Sequence, residues 1–386
     1  MNDSVLFEEL TSHSGKRIGV ATLNRPETLN GLSLEMCQLL DARLVAWQAD
    51  PAVVAVVMRG AGDRALSAGG DLHGLYRGML DAPDGDAWAI PAARDFFSTE
   101  YRLDYRIHTY AKPILCWGSG IVMGGGVGLL QGASHRVVTE TTRYAMPEIT
   151  IGLYPDVAGT WMLARMPRGI GLFLALTGAQ LGASDCLHYG LADYMLPATS
   201  GADLLRGLQA LHWDADSGAH AAQVDALLDG LQAAPDASGP LQAHAALIRQ
   251  ICNRADLGVI AQGIEALKAH EDPWLQRAAK TFLAGSPGSA RLSMALLEHA
   301  RHASLADVFR TEFVASLHCC AEPDFREGIR ALLIDKDKAP RWQPASLEQA
   351  SEQWVQRFFE VPWPDGETHP LADLGVEALP AAIETC

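Results

Sequence analysis

Apolar positions in the first part of the chain predict a strand followed by a helix. Residues 16–24 are compact and β-prone, and the run ends at Arg25-Pro26 because proline lacks an N–H and restrains its neighbour. Ser33 is the predicted N-cap of a following helix. One face of that helix is apolar at helical spacing, through Met36, Leu40, Leu44 and Trp47.

Three further apolar runs predict more strands. Residues 53–58 (VVAVVM) are continuously apolar, which is typical of a strand buried on both faces. Residues 113–123 (PILCWGSGIVM) predict an apolar β pair that ends in a glycine cluster, and residues 136–139 predict a short strand. Strands that alternate with helices indicate an α/β layered fold.

The pattern changes after residue 196. Residues 198–250 and 255–315 are rich in Ala and Leu with few β-branched runs, so they are predicted to be helical. Residues 361–386 contain four prolines and predict an irregular tail. We therefore expect a core at 1–196, a helical C-terminal region at 197–360 and a tail at 361–386, with no internal repeat.

Composition and charge limit the kinds of partner and the cellular location that we expect for this protein. The chain of 386 residues has a net charge of −16, which disfavours nucleic acid because a polyanion is repelled. The seven cysteines are scattered without a CxxC pair, as expected for reduced thiols. The first residues, MNDSVLFEEL, lack a basic leader, and no apolar run is long enough to span a membrane. These features predict a cytoplasmic location.

Two small-residue loops are candidates for binding negative charge. Residues 65–71 read ALSAGGD, and residues 123–128 read MGGGVG after an apolar run. Each is either a tight strand-to-helix turn or a place where backbone N–H groups approach a ligand. A dinucleotide site is not expected, because Leu129 stands where the last glycine of GxGxxG belongs. One N–H from each loop would make an oxyanion hole.

A third segment, MPEITIGLYPDVAGT at residues 146–160, contains two acids in apolar surroundings. Glu148 and Asp156 are either solvated turn residues or buried carboxyls with altered pKa values, suited to acid, base or nucleophilic work. Ser-centred hydrolysis is not indicated, because GxSxG is missing. No HExxH or comparable pair occurs, so no metal site is predicted.

These segments together resemble the crotonase, or enoyl-CoA hydratase/isomerase, superfamily in order and spacing. LNRPETLNGLS, ALSAGGD, GIVMGGGVG and MPE are similar to its motifs over roughly residues 16–196. The resemblance implies an α/β fold, a spiral of ββα units with a helical C-terminal region. It also implies that the N–H groups of Gly70 and Gly125 form an oxyanion hole, and that Glu148 is catalytic. The neighbouring Gly69, Asp71 and Gly124 would bind substrate.

Finer motifs resemble one branch of that superfamily, the 3-hydroxyisobutyryl-CoA hydrolases of valine breakdown. The first glutamate of the hydratases falls at Gly128, which cannot transfer a proton. YPDVAG supplies Asp156 as a second catalytic acid, and FFSTEYRLDY implies a substrate-binding role for Glu100. Residues 312–344 also look like the C-terminal region of these hydrolases. The implied reaction is hydrolysis of a short 3-hydroxyacyl-CoA thioester.

Alternatives stay open at this point. An enoyl-CoA hydratase or isomerase could act through Glu148 alone, and a non-catalytic CoA-binding protein could keep the fold. No separate cofactor is expected, because CoA is part of the substrate, and neither nucleic acid nor a membrane is an expected partner. A homo-oligomer is left open. The candidate cations for the CoA phosphates are Arg25, Arg64, Lys336, Lys338 and Arg341.

Overall fold

The computed structural model describes residues 3–82, 85–235 and 237–376. Its strands are β1 Val5–Thr11, β2 Arg17–Leu23, β3 Val53–Gly60, β4 Ala65–Ser67, β5 Ile114–Gly118, β6 Ile121–Met123, β7 His135–Val138, β8 Arg143–Ala145 and β9 Tyr194–Met195. The helices of the first half are α1 Leu34–Ala49, α2 Leu72–Leu80, α3 Pro91–His108, α4 Gly125–Gly132, α5 Gly159–Arg165, α6 Ile170–Thr177 and α7 Ala183–His188.

The second half is helical, as predicted. Its helices are α8 Gly201–Ala210, α9 His220–Leu231, α10 Pro240–Ala243, α11 Ala245–Cys252, α12 Leu257–Ala266, α13 Pro273–Ala284, α14 Pro287–Ala300, α15 Leu305–Ala321, α16 Pro323–Ile329 and α17 Glu352–Gln356. A π-helical turn at Arg330–Ile334 extends α16. Short 3-10 helices lie at Pro26–Thr28, Glu148–Ile151, Ala198–Ser200, Ser217–Ala219, Leu267–Ala269 and Arg357–Phe359.

Two sheets organise the core. The larger has six strands in the order β1-β2-β3-β5-β7-β9, and the smaller has three in the order β4-β6-β8. Only the β1–β2 pair is antiparallel among these strands. Successive strand pairs place one strand in each sheet before a helix follows, which gives repeated ββα units. The predicted spiral of ββα units with a helical C-terminal region is confirmed.

Local sequence accounts for the first helix and the central strand. The Ser33 hydroxyl accepts a hydrogen bond from the Met36 N–H at 3.2 Å, which caps α1. The predicted apolar stripe of α1 is buried. Strand β3 is buried through its first six residues, because the large sheet is covered on both faces.

The C-terminal helices cover the core from two sides. On one face of the large sheet, side chains of β2 and β3 pack against apolar residues of α8 and α9. The larger cluster unites the helices of the first half with α10 to α17. The division at residue 196 stays a prediction, since a single apolar cluster contains residues from both sides of it.

The end of the described chain has no helix or strand between residues 361 and 376, yet it is anchored. Arg102 forms an ion pair with Asp373, and Leu371 is fully buried. Residues 377–386 of the predicted tail lie outside the described residues. Across the part of the chain that the structure describes, no helix combines the length and apolarity needed to cross a membrane.

Candidate active site

The two glycine loops meet at one edge of the small sheet. Strands β4 and β6 are parallel neighbours, so the loops that follow them emerge side by side. A Cβ added at Gly69 would lie 3.7 Å from Gly124 Cα and 3.8 Å from Gly125 N. Gly69 has a φ of +111°, and Gly124 one of +50°. A Cβ on Gly124 would lie only 3.3 Å from Gly69 Cα, and both positions have the positive φ that glycine adopts without steric cost.

Two backbone N–H groups remain free at this junction. The Leu32 N–H donates to Gly69 O at 2.8 Å, and the Asp71 N–H donates to Leu32 O at 2.7 Å. Gly70, between them, donates no backbone hydrogen bond to any other described residue. The same holds for Gly125, whose N–H begins α4 and so has no partner within the helix. The N–H groups predicted from the sequence are thus available to a ligand.

Glu148 lies directly beside the second loop. It begins the 3-10 helix Glu148–Ile151, which ends at Gly152 in the left-handed region, where the Gly152 N–H donates to Glu148 O. The side chain is 4% exposed, and Oε1 is 3.3 Å from the position of a Cβ on Gly124. Burial raises the pKa of this carboxyl well above its ordinary value, and Asp156 adds to the rise.

Asp156 and Glu100 bring two more buried carboxyls to the same cavity. The Tyr101 hydroxyl donates a hydrogen bond of 2.8 Å to Asp156 Oδ2. Burial raises the pKa of Asp156 to about 6, and the bond from Tyr101 opposes that rise. Glu100 Oε1 has no hydrogen-bond partner in the described chain and lies 2.5 Å from the position of a Cβ on Gly125. Burial, and then Asp156, raises the pKa of Glu100 well above its ordinary value.

The cavity around these groups has a volume of about 720 Å³. All eight side chains or glycines predicted as site residues line it, together with the apolar Phe96, Phe97, Leu332 and Leu333. Asp71 also caps α2, accepting from the His73 N–H at 3.2 Å, and pairs with Arg25 at 3.1 Å. A substrate-binding role for Asp71 therefore stays a prediction beside these structural contacts.

Only some of the candidate cations lie at the cavity. Arg25 and Arg64 line it, as do His73 and Arg77, which were not predicted. The other three candidates, Lys336, Lys338 and Arg341, are exposed on the segment after α16 and are not among the lining residues.

Gly128 leaves no room for the first glutamate of the hydratases. A Cβ there would lie 2.9 Å from Asp104 Oδ2 and 2.9 Å from Val157 Cβ. Asp104, one helical turn after Glu100, fills that space, and both its carboxyl oxygens lack partners among the described residues. Burial, and then Glu100, raises the pKa of Asp104 well above its ordinary value. Asp104 was not predicted as a site residue, although its i, i+4 spacing from Glu100 was a visible signal in the sequence.

The C-terminal helices hold the turn that follows Asp156 in place. Glu312 of α15 is fully buried and accepts hydrogen bonds from the N–H groups of Ala158 at 2.8 Å and Thr160 at 3.2 Å. Ala158 and the preceding Val157 both have positive φ, a conformation that non-glycine residues adopt only when their surroundings enforce it. Burial raises the pKa of Glu312 to about 8. Glu312 was not predicted as a site residue, and its only signal in the sequence was the C-terminal resemblance over residues 312–344.

Helix α16 contacts the Glu148 turn backbone to backbone. A Cβ on Gly152 would lie 2.4 Å from Asp324 O, and one on Gly328 would lie 2.4 Å from Ile151 Cα. Both glycines are therefore needed for this close approach. No group of three or more His, Cys, Asp or Glu side chains suited to a metal ion occurs within residues 3–82, 85–235 and 237–376.

Comparison with known proteins agrees with this architecture. Residues 18–359 match the family described as Enoyl-CoA hydratase/isomerase. A solved structure described as a carnitinyl-CoA dehydratase from Mycobacterium thermoresistibile is 35% identical, with a TM-score of 0.80 over 95% of this chain and 98% of that one. The chain belongs to the enoyl-CoA hydratase/isomerase family.

Within that family, the chain is similar to two vertebrate 3-hydroxyisobutyryl-CoA hydrolases. The protein of that name from Gallus gallus is 38% identical over 89% of this chain and 86% of its own length. The one from Danio rerio is also 38% identical, over 92% of this chain and 89% of its own length. The resemblance to this hydrolase branch is confirmed.

One expectation is wrong. Both vertebrate relatives are named as mitochondrial, which overturns the cytoplasmic location expected from the sequence. That expectation relied on scattered cysteines and on the first residues of the chain. Neither feature distinguishes the cytosol from another reducing compartment.

Proposed function

We propose that this protein hydrolyses 3-hydroxyisobutyryl-CoA to 3-hydroxyisobutyrate and CoA, a step of valine breakdown. The observation that carries the proposal is the placement of buried Glu148 against two touching glycine loops with free N–H groups, with Asp156 in the same cavity. The 38% identity to hydrolases of this name supports the choice of substrate. CoA is part of the substrate, so the reaction needs no separate cofactor.

In the proposed mechanism, the thioester carbonyl oxygen accepts hydrogen bonds from Gly70 N–H and Gly125 N–H, which form an oxyanion hole. Glu148 either attacks the carbonyl carbon to give a mixed anhydride or activates a water as general base. Asp156 positions the 3-hydroxyl group or transfers a proton to the leaving thiolate. Glu100 orients the substrate or the water through its unpartnered carboxyl oxygen.

A hydratase or isomerase is the second candidate, and the dehydratase description of a similar solved structure favours keeping it. Against a two-carboxylate hydratase, Gly128 carries no acid and its surroundings have no space for one. An isomerase that acts through Glu148 alone would fit the same cavity. A CoA-binding protein without activity fits least, because three buried acids in one cavity cost stability that binding alone does not require.

One experiment separates these candidates. The protein is incubated with 3-hydroxyisobutyryl-CoA while free thiol is followed, and in parallel with a conjugated enoyl-CoA while the enoyl absorbance is followed. Thiol release with the first substrate supports hydrolysis. Loss of enoyl absorbance without thiol release would replace the proposal with the hydratase or isomerase alternative, and binding without either change would favour the non-catalytic one.

Loss of a basic residue at the cavity is expected to weaken substrate binding more than loss of one outside it. We expect Arg64→Gln to raise KM for the CoA thioester by roughly three- to tenfold while kcat stays the same, since an exposed cation contributes about 1 kcal/mol to binding of a phosphate. The matched control is Lys338→Gln, which removes an exposed cation outside the cavity. Equal KM values for the two variants would place the CoA phosphates elsewhere.

The raised pKa of Glu148 predicts a pH dependence. Glu148 works as a carboxylate, and its pKa lies well above 4.5, so acidification protonates it at a higher pH than an ordinary glutamate. We expect kcat/KM to rise with pH along a limb whose midpoint lies clearly above 4.5. A pH profile measured where the fold is intact by circular dichroism tests this. Full activity that persists down to pH 4.5 would contradict it.

A further inference from the structure

Asp156 stands at one end of an unbroken line of buried hydroxyl groups. The Tyr101 hydroxyl lies 2.8 Å from Asp156 Oδ2 and 2.8 Å from Ser316 Oγ. Ser316 Oγ in turn lies 2.8 Å from the Tyr154 hydroxyl, which lies 2.6 Å from the backbone oxygen of Glu312. Tyr101, Tyr154 and Ser316 are all completely buried. The line thus runs from the cavity into helix α15.

The line has fewer hydrogens than contacts when Asp156 is ionised. It has four contacts, and its three hydroxyl groups supply one hydrogen each. The Glu312 carbonyl can only accept, so the hydrogen of Tyr154 is committed to it. An ionised Asp156 can also only accept, so the hydrogen of Tyr101 is committed there. Ser316 has one hydrogen for two neighbouring tyrosine oxygens, and one contact is left without a hydrogen.

A proton on Asp156 supplies the missing hydrogen. Asp156 then donates to Tyr101, Tyr101 to Ser316, Ser316 to Tyr154, and Tyr154 to the Glu312 carbonyl. All four contacts become hydrogen bonds that run in one direction. In a buried environment, a donor and an acceptor that face each other without a hydrogen are costly, so the complete line favours the protonated acid.

We propose that Tyr101, Ser316 and Tyr154 form a hydrogen-bonded chain that allows Asp156 to hold a proton inside the site, with Ser316 of α15 as the positioning residue that completes it. This inference rests on the proposed function for its chemical purpose. The chain itself is a property of the protein without substrate. Ser316 and Tyr154 act through Tyr101 and do not touch the substrate.

The chain serves a balanced proton cycle in the mixed-anhydride form of the reaction. Glu148 attacks the carbonyl carbon, the C–S bond breaks, and the proton of Asp156 moves to the leaving sulfur. Tyr101 then turns its hydrogen toward the new carboxylate. Water next attacks the acyl carbon, the bond to Glu148 breaks, and the proton that water loses returns to Asp156. The sum is thioester plus water giving acid plus thiol.

Other ionisable groups surround Asp156, and their charges also influence its pKa. They are the carboxyls of Glu100, Asp104, Glu148 and Glu312 and the thiols of Cys319 and Cys320. Every one of these is buried, and none is a cation. Besides a backbone hydrogen bond at Asp156 itself, the hydroxyl chain is thus the polar contact through which Asp156 can gain or lose a hydrogen bond as it titrates.

The test removes one hydroxyl at a time and measures the pKa of Asp156 by NMR of the ¹³C-labelled carboxyl, with the signal assigned by its loss in Asp156→Asn. Tyr101→Phe removes the donor to the ionised form and also the acceptor for the protonated form. The bond to the ionised carboxylate is the stronger of the two, so we expect the pKa to rise from about 6 by roughly one pH unit. In Ser316→Ala, the Tyr101 hydroxyl still donates to ionised Asp156. When Asp156 is protonated and donates to Tyr101, however, the Tyr101 hydrogen has no acceptor. We expect the pKa to fall by roughly one pH unit.

Shifts of the Asp156 pKa in opposite directions in the two variants are the decisive result. A site that is merely loosened admits water, which would lower the pKa of Asp156 in both variants, and that outcome would overturn the proposal. Tyr110→Phe, which loses a hydrogen bond of 2.7 Å to Leu44 O, and Ser293→Ala, which loses a buried hydroxyl, are matched controls expected to leave the pKa unchanged. The measurement needs no turnover. Opposite shifts without thiol release in the wild type would therefore sink the proposed function and leave the chain standing.

Discussion

Glu148→Gln is expected to reduce thiol release from 3-hydroxyisobutyryl-CoA by roughly a thousandfold or more in kcat, with KM little changed. The amide has the shape of the carboxyl but can neither attack as a nucleophile nor accept a proton from water, and such groups contribute on the order of 10²–10⁴ to rate. The cavity keeps its volume and its glycine loops, so substrate binding is preserved. Thiol release at saturating substrate, compared with half-saturation, separates the two constants.

The same variant gives a stability readout that guards against misfolding. Glu148 is 4% exposed, and its Oε2 has no partner among the described residues. A carboxyl in this position lowers stability when it ionises, and a neutral amide does not carry that cost. We expect the melting temperature at neutral pH to stay the same or to rise. Glu271→Gln, at an exposed position, is the control and should change neither property. A Glu148→Gln protein that keeps most of its activity would refute the central role of this residue.

Gly328→Ala is expected to damage both stability and activity from a position outside the cavity. The new Cβ would lie 2.4 Å from the backbone of Ile151, and neither backbone can yield without moving the turn that carries Glu148. Overpacking of this kind costs roughly 1–3 kcal/mol in the free energy of unfolding. A displacement of about 1 Å in a reacting group can also cost about a hundredfold in rate.

Urea denaturation and kcat measured on the same preparation test this prediction. Gly230→Ala is the matched control, because it adds the same methyl group near the end of α9, where nothing lies within 4 Å. The control should be as active as the wild type and equally or slightly more stable. If Gly328→Ala behaved like the control, α16 could not be pressing on the Glu148 turn.

Much of the fold was accessible from local patterns. Ser33 and the stripe after it predicted α1, and the apolar run at residues 53–58 predicted β3, because capping and burial patterns act within one element. The two glycine loops were predicted as neighbours, and the structure places them in contact. The glycines of these loops could be recognised from the sequence alone, because glycine is small and adopts positive φ values readily.

Long-range partners of the site were not accessible in this way. Glu312 accepts from backbone groups more than 150 positions earlier, and Ser316 lies 215 positions from Tyr101. No periodicity within α15 distinguishes those side chains from ordinary polar residues of a helix. The structure places Lys336, Lys338 and Arg341 outside the lining of the cavity, which could not be predicted because charge alone does not tell where the segment after α16 leads.

The contacts of α15 and α16 with the turns that carry Asp156 and Glu148 also have a consequence for biosynthesis. A ribosome adds roughly 5–20 residues per second, so Glu148 and Asp156 are exposed for on the order of ten seconds or more before residues 305–329 are made. During that interval nothing holds the positive-φ turn at Val157 or presses on Gly152. A nascent chain would thus carry both carboxyls before the site is assembled around them, and we expect hydrolysis to begin only once translation has passed α16.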